Sequence, residues 1–386
     1  MKKWTILLSS SLLAIALATP AVAASASAPI QVVVDGQSLQ FTDTVPYSSN
    51  NTVFVPFRAI FQELGLQVEF ESKTQKVTGK RDGLKIELTI GSRSAKVNGK
   101  VQTLTAAPVI KNNTVFVPLR FIGQAAGAEV YWNADSSTVE IDTPEAKEQA
   151  KADVTALILQ MIQDYSNENV TAYLSTFDFQ ESNPTIIQGF FDESDISITS
   201  QDLEFVELDS DEAVVDSTEI SKWVGGAYFP DTVDTYEYDL YKVDGVWKVS
   251  ELTLGDSAYM IPDLSKTITV PADKAAAVST VLDAYDKALN HKDWNGVLAT
   301  FVPYTDPELE AEDAANYQDV FNSNTSTDLK LFKQQFLYSS DTTVAIYTER
   351  TATYADGSTE LYKTVFELQK ASTGAWLIEG IYNLYE

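Results

Sequence analysis

The chain has 386 residues, 44% hydrophobic and 21% charged, with 27 Lys plus Arg against 55 Asp plus Glu, a formal net charge of −28. That size predicts two to four domains, and the composition favours packed cores over disorder. The charge argues against nucleic acid or an anionic membrane surface as partner, and the absence of Cys excludes disulfides, thiol catalysis and a Cys-linked lipid anchor. Neutral glycans, cationic partners or divalent ions suit such a surface better.

Residues 1–23 read as a secretory signal peptide. Lys2 and Lys3 form a basic start, residues 6–18 a short apolar core, and Ala21-Val22-Ala23 a small-x-small cleavage site. The apolar run is too short for a comfortable membrane span, and no second one follows. Losing the leader removes two lysines, so the mature charge is 25 − 55 = −30. Residues 381–386 read as the end of a strand, with no sorting tail. The expectation is an exported protein without a transmembrane anchor, released or retained non-covalently on the cell wall.

A stretch then occurs twice. Thr52-Val53-Phe54-Val55-Pro56-Phe57-Arg58, running on to Gly65, returns as Thr114-Val115-Phe116-Val117-Pro118-Leu119-Arg120, running on to Gly127, at a constant offset of 114 − 52 = 62. Alternation of Val53, Phe54 and Val55 predicts a strand, which Pro56 ends while pre-setting φ for a helix start. Phe57, Ile60, Phe61 and Leu64 then make one apolar helical stripe, with Gly65 as a left-handed cap. The second copy gives Leu119, Ile122, Gly123 and Ala126, with Gly127 as cap. Asp35-Gly36, Asn98-Gly99, Asn50-Asn51 and Asn112-Asn113 mark tight turns. Each unit reads as strand, short helix, strand, strand, and neither buries its helix alone. Arg58 and Arg120 recur in register. They read as forks for a ligand carboxylate or phosphate, or as buried structural arginines paired with carboxylates or helix-end carbonyls.

The pattern V-x-V-P-[FL]-R-x-I-x-x-x-x-G, matched twice, resembles the copper amine oxidase N-terminal-like "stalk" domain over residues 29–143. That resemblance implies attachment to secreted proteins of Gram-positive bacteria and carries no copper chemistry. The copper enzyme's own site needs three His and a Tyr-derived cofactor, whereas this chain has one His. Asn316-Tyr317 is followed by Gln318 where the cofactor motif has an acid. Oxidase activity is therefore excluded.

Thr143-Pro144 signals a helix start, and Ala150, Val154, Leu157, Met161 and Tyr165 keep helical spacing to a break at residues 167–169. A shorter helix at 170–177 and strands at 203–208, 213–220, 236–243 and 246–252 follow, the last two joined by Asp244-Gly245. After a polar linker at 261–271 the programme repeats. Val278, Val281, Leu282, Tyr285 and Leu289 line a second long helix, ended at His291-Lys292-Asp293. Leu298-Ala299-Thr300-Phe301 echoes Leu174-Ser175-Thr176-Phe177 at an offset of 301 − 177 = 124. Strands are expected at 331–338, 343–354 and 359–368. Trp376-Leu377-Ile378 echoes Trp247-Lys248-Val249. This unit looks like the NTF2-like fold over residues 147–260 and 272–386. The resemblance implies a curved sheet around a helix with a conical pocket, in whose family enzymes an Asp, often with a Tyr or second acid, does acid–base work.

The expected fold class is thus α+β, a two-repeat stalk-like domain followed by two NTF2-like helix-plus-curved-sheet domains. Tyr165, Phe177, Trp223, Tyr228 and Trp247 are candidates to line the first pocket. Tyr285, Trp294, Phe301, Tyr347 and Trp376 are candidates for the second. For all of these the plain alternative is core packing. The loop from Trp223 to Pro230 reads as a recognition loop or as packing at a hairpin end. Arg58, Arg120, Pro56, Pro118, Gly65 and Gly127 are assigned structural roles. No catalytic residue, metal site or cofactor is assigned: His291 reads as a surface helix cap, and the acidic loops at 192–195 and 209–212 lack the spacing of a Ca²⁺ loop. The functional expectation is a secreted, non-catalytic binding or adaptor protein of the cell envelope, partnered by cell-wall glycan or another envelope protein. A small-molecule carrier or enzyme in the NTF2-like pocket and a structural spacer are the alternatives. A buried acid with a raised pKa inside a pocket would favour the enzyme, and fully packed cones the spacer.

Overall fold

A computed structural model describes residues 29–42, 44–178, 184–303, 311, 314, 315, 321 and 326–384. The expected leader at 1–23 and the Asn316-Tyr317-Gln318 stretch lie outside the described residues. The chain divides into two compact units, Met1–Ile141 and Asp142–Glu386.

The first unit opens with β1 (Gln31–Val34), β2 (Gln37–Ser38), β3 (Tyr47–Ser49), β4 (Thr52–Pro56) and α1 (Phe57–Glu63). There follow β5 (Gln67–Glu71), β6 (Lys76–Arg81), β7 (Leu84–Thr89), β8 (Ser94–Val97), β9 (Lys100–Thr103) and β10 (Val109–Lys111). It closes with β11 (Thr114–Pro118), α2 (Leu119–Ala125), β12 (Glu129–Asn133) and β13 (Thr138–Asp142), whose last residue belongs to the second unit. The repeat is laid out about a local two-fold. Strands β4 and β11 pair antiparallel with Val55 opposite Val117, each against its own copy 62 residues away. The hairpin β12–β13 is completed by β1, which pairs with β13 in parallel. The corresponding hairpin β5–β6 instead continues through β7 into β8 and β9.

Both short helices bury the predicted stripe, Phe57, Ile60 and Phe61 in α1 and Leu119, Ile122 and Gly123 in α2. Burying each large apolar side chain contributes about 1.5–3 kcal/mol. The repeats fill one packing position in opposite ways. A Cβ on Gly79 of β6 would stand 2.1 Å from Phe61, so the helix supplies the bulk and the strand the gap. Sixty-two residues on, the helix supplies the gap: a Cβ on Gly123 would stand 2.5 Å from Val130 and 3.8 Å from Ile141, the counterpart of Gly79.

Gly65 and Gly127 follow the helices at φ +71° and +88°, where an L side chain is strained. Arg58 and Arg120 are exposed, which corrects the expectation of buried arginines. The position after Phe57 or Leu119 lies about 100° round the helix from the apolar stripe, hence toward solvent. Helix-end carbonyls do receive a guanidinium, but it is that of Arg81. Its Nη1 donates to the Leu64 carbonyl (3.4 Å) and its Nη2 to that of Ala126 (3.1 Å), so one cation serves the C-termini of both helices.

The second unit contains two successive copies of one arrangement. The first is α3 (Pro144–Ser166), α4 (Val170–Ser175), α5 (Pro184–Glu193), β14 (Ser194–Leu208), β15 (Glu212–Gly226), β16 (Thr232–Val243) and β17 (Val246–Tyr259). The second is α6 (Ala272–Asn290), α7 (Trp294–Leu298), β18 (Ser326–Ser339), β19 (Thr343–Tyr354), β20 (Thr359–Lys370) and β21 (Trp376–Asn383). Each sheet is a four-stranded antiparallel meander. Register shifts such as those at Asp234/Tyr236 and Leu331/Lys333 kink the strands, and bulges of this kind curl a sheet. The long helix of each copy lies against the sheet, burying Val154, Ile158 and Met161 in one and Val278, Leu282 and Tyr285 in the other. In both copies the second helix ends in a parallel bridge to the closing strand, Phe177 to Val249 and Phe301 to Ile378. Thr143 caps α3, its hydroxyl accepting from the Ala146 N–H, as the Thr-Pro signal predicts.

Candidate functional site

The first curled sheet leaves an open cavity of ≈ 410 Å³ between its concave face and the end of α3. Its acidic groups follow from strand alternation. Ala213, Val215, Ser217 and Glu219 share one face of β15, and because Ala213 and Val215 join the core, Glu219 points inward too. Glu219 is 3% exposed, and its Oε1 accepts from the Tyr238 hydroxyl (2.6 Å) and from Ser217 Oγ (3.1 Å). Opposite it across the β15–β16 ladder sits Asp234, 7% exposed, which accepts from Thr232 Oγ1 (2.6 Å) and from Ser257 Oγ. Burial pushes the Glu219 carboxyl above the usual range, assisted by the charge of Asp234 and opposed by its two hydrogen bonds.

Tyrosines form the walls. Tyr165, Tyr173, Tyr236 and Tyr238 line the cavity with Phe229 and Tyr259. Burial pushes Tyr173 up to about 12 and holds Tyr236 and Tyr238 higher still, so these phenols remain protonated donors at neutral pH. Among the described residues the cavity lining contains no Lys or Arg. Two carboxylates under aromatic rings attract a cation or a donor-rich ligand, and a carboxyl with raised pKa is also equipped for acid–base work.

The second sheet encloses ≈ 500 Å³ with different chemistry. Arg350 and Lys292 line it, no acid does among the described residues, and its walls include Leu289, Phe366 and Ile381. In the first unit a cleft of ≈ 440 Å³ brings Arg120 beside Tyr131 and Trp132, which are 46% and 43% exposed.

The residues singled out in the sequence are distributed over several places. Tyr165 and Tyr285 line the two cavities. Trp247, Trp376 and Phe177 are core residues, with Trp294 and Phe301 packed against that core. Lys242 lies over the Trp247 ring at 5.0 Å and Lys274 over Trp376 at 5.6 Å. Trp223 and Tyr228 pack where the two copies meet, Trp223 with its ring 5.4 Å from that of Tyr338 and Tyr228 at 6.2 Å from it. Tyr347 is buried in the same cluster. Trp223 and Tyr228 of the Trp223–Pro230 stretch thus pack one α+β copy on the other, while Phe229 of the same stretch lines the first cavity. Gln335 ties down the linker as well, donating to the Leu264 and Lys266 carbonyls. His291 is exposed at the end of α6. Sequence reasoning missed Glu219, Asp234, Asp286 and Arg350. The parity of β15 and β19 was the available signal.

Two families match parts of the chain. Residues 33–141 match the copper amine oxidase N-terminal domain, and residues 156–260 match the C-terminal domain of the anti-sigma-I factor RsgI9. No curated protein matches. Among solved structures, an NTF-2 like protein of unknown function from Shewanella oneidensis MR-1 is 13% identical, covering 28% of this chain and 98% of its own, at TM-score 0.25. A ketosteroid isomerase-like protein from Erwinia carotovora atroseptica SCRI1043 is 24% identical, covering 30% and 100%, at TM-score 0.24. An Ntf2 like protein involved in plasmid conjugation is 8% identical, covering 59% and 94%, at TM-score 0.24. Residues 33–141 are thus similar to the copper amine oxidase N-terminal domain, and the second unit holds two α+β copies, each a long helix against a four-stranded antiparallel sheet. Among the described residues no helix is long and apolar enough to cross a membrane, and no group of three His, Cys, Asp or Glu is placed to hold a metal.

Proposed function

We propose that this is an exported, non-catalytic binding protein of the cell envelope, in which residues 29–143 contact the envelope and the NTF2-like domain at 147–260 holds a small organic cation. The second such domain, 272–386, is fixed to the first through the Trp223–Tyr228–Tyr338 cluster. The observation that carries this reading is the pair of buried carboxylates, Glu219 and Asp234, among the tyrosines lining an open cavity that has no basic residue among the described ones. An ammonium ion gains from both features at once, because ring faces and carboxylates attract positive charge. Similarity to the C-terminal domain of an anti-sigma-I factor supports a binding or regulatory role over a catalytic one. The exposed Tyr131 and Trp132 beside Arg120 support cell-wall glycan as the envelope partner, with another envelope protein as the alternative.

Titration of the mature chain with tetramethylammonium, and with its neutral isostere tert-butanol, tests the cavity. Saturable binding of the cation alone, abolished by Glu219→Gln with Asp234→Asn, is expected. Equal response to both probes contradicts the reading. Sedimentation with cell-wall sacculi tests the envelope contact, which Trp132→Ala should weaken; a protein that stays in the supernatant contradicts it.

One observation favours a second reading, acid–base catalysis in the same cavity: Glu219 combines a raised pKa with a hydrogen bond from a protonated phenol. A turnover that follows the ionisation of Glu219 and vanishes in Glu219→Gln would replace the non-catalytic proposal.

A further inference from the structure

The cavity of the second copy contains a buried cation with unused donors. Arg350 is 3% exposed on β19, where Val344, Ile346 and Thr348 precede it on the same inward face. Its Nε donates to both carboxylate oxygens of Asp286 on α6, at 2.8 and 3.0 Å, and its Nη1 donates to Thr348 Oγ1. The guanidinium carbon lies 4.5 Å from the centre of the Phe366 ring. Nη2 is buried and has no partner.

A purely structural ion pair leaves this arrangement unexplained. A guanidinium carries five N–H donors, and a buried donor without an acceptor costs about 1–3 kcal/mol, more when charged. The usual structural pairing sets two nitrogens against two carboxylate oxygens. Here a single nitrogen takes both oxygens of Asp286, and the Nη2 side of the fork is left for something else. Arg350 is one of the residues lining a cavity of ≈ 500 Å³, which Lys292, exposed and donating from Nζ to the Phe321 carbonyl, also lines. Among the described residues none of the lining is acidic, although the chain as a whole carries −28. Leu289, Phe366 and Ile381 give it apolar walls.

We propose that the second NTF2-like copy is a binding site for a small organic carboxylate, whose oxygens take the Nη2 donors of Arg350 and whose apolar body packs against Leu289, Phe366 and Ile381. The carboxylate supplies the acceptor that Nη2 lacks, in a cavity whose charged lining side chains, among the described residues, are both cationic. This assignment does not depend on the ligand of the first cavity, and either can fail without the other.

The test is calorimetric titration of the full mature chain with benzoate and hexanoate, and with the neutral isosteres benzamide and hexanamide. At least about tenfold tighter binding of a carboxylate than of its amide is expected. The difference should vanish in the double variant Asp286→Leu with Arg350→Met, which removes both charges together and so leaves none uncompensated. If that variant does not fold, Asn383→Asp serves instead. It is an exposed lining position, and a new anion there should weaken the carboxylate while leaving the amide unchanged. Equal binding of acid and amide, no saturable carboxylate binding, or undiminished binding in the folded variants would overturn the proposal. Inorganic phosphate binding as tightly as benzoate would overturn the role given to the apolar walls.

Discussion

The two α+β copies of the second unit share a backbone plan and invert its charge. In the sheet ladders Val215 faces Tyr238 and Ile346 faces Phe366; Ser217 faces Tyr236 and Thr348 faces Thr364; Glu219 faces Asp234 and Arg350 faces Tyr362. Glu219 and Arg350 therefore occupy one position, four residues along the inward face from a core aliphatic. Their surroundings change in concert. Tyr238 donates a hydroxyl to the acid, while Phe366 at the same place presents its ring face to the guanidinium. Ser217 donates to Glu219, while Thr348 accepts from Arg350. Ile162 of α3 corresponds to Asp286 of α6, which supplies the counter-charge needed only in the second copy. A duplicated scaffold thus fixes where a polar group is buried and leaves its sign to a few side chains.

The largest effect should come from breaking that balance on one side. Asp286→Leu alone strands Arg350 in the interior and is expected to destabilise the fold by about 3–5 kcal/mol, whereas Asp286→Leu with Arg350→Met should lie near wild type. Urea unfolding of both variants checks this. Equal losses would show that the pair acts as two independent residues.

A second contrast is the exchanged bulk of the stalk-like repeats. Gly79→Ala drives a methyl into Phe61 and is expected to cost about 1–3 kcal/mol or more, partly restored by Phe61→Leu. Thermal melts that leave Gly79→Ala unchanged would refute the packing argument.

The first cavity should respond to pH where a neutral replacement does not. Folding raises the pKa of Glu219, so the folded state holds that proton more tightly than the unfolded chain does. Wild-type stability therefore falls as pH rises through the window from the ordinary carboxylate range to the raised value, by about 1.4 kcal/mol for each unit of the rise. Glu219→Gln should be the more stable protein at about pH 8 and match wild type at about pH 3, where both side chains are neutral. A constant difference across that range would mean that Glu219 does not titrate as described. The smallest effect concerns the helix starts. Thr143→Ala should cost about 1 kcal/mol, while α6, which begins at Pro271 without a side-chain cap, has no equivalent to lose.

Local chemistry was the legible part of the sequence. Asp35-Gly36, Asn98-Gly99 and Asp244-Gly245 turn with positive φ at both residues, and Asn50-Asn51 and Asn112-Asn113 do the same. These conformations depend on one or two residues, and so do the Thr143 cap and the helical stripes. Strand lengths were less legible. β14 begins at Ser194, nine residues before the expected Leu203, because only Ile196 and Ile198 mark an apolar face in its otherwise polar first half, which is held by pairing with β15. The cavity groups were hidden for a related reason. Parity alone points Glu219 inward, but its meaning comes from Asp234 on the next strand, and Arg350 is defined by a partner 64 residues away. The repeated arginines drew attention that belonged to Arg81. A local two-fold needs only one cation shared between its helix ends, so the residue in that role has no reason to recur.

We propose that the two copies select ligands of opposite charge. The most direct test is a two-ligand titration of the mature chain, tetramethylammonium followed by benzoate, read by calorimetry in wild type and in each cavity's charge-removing variant. Two independent sites are expected: Glu219→Gln with Asp234→Asn removes only the cation, and Asp286→Leu with Arg350→Met removes only the carboxylate. Loss of both ligands together, or of neither, in these folded variants would contradict it.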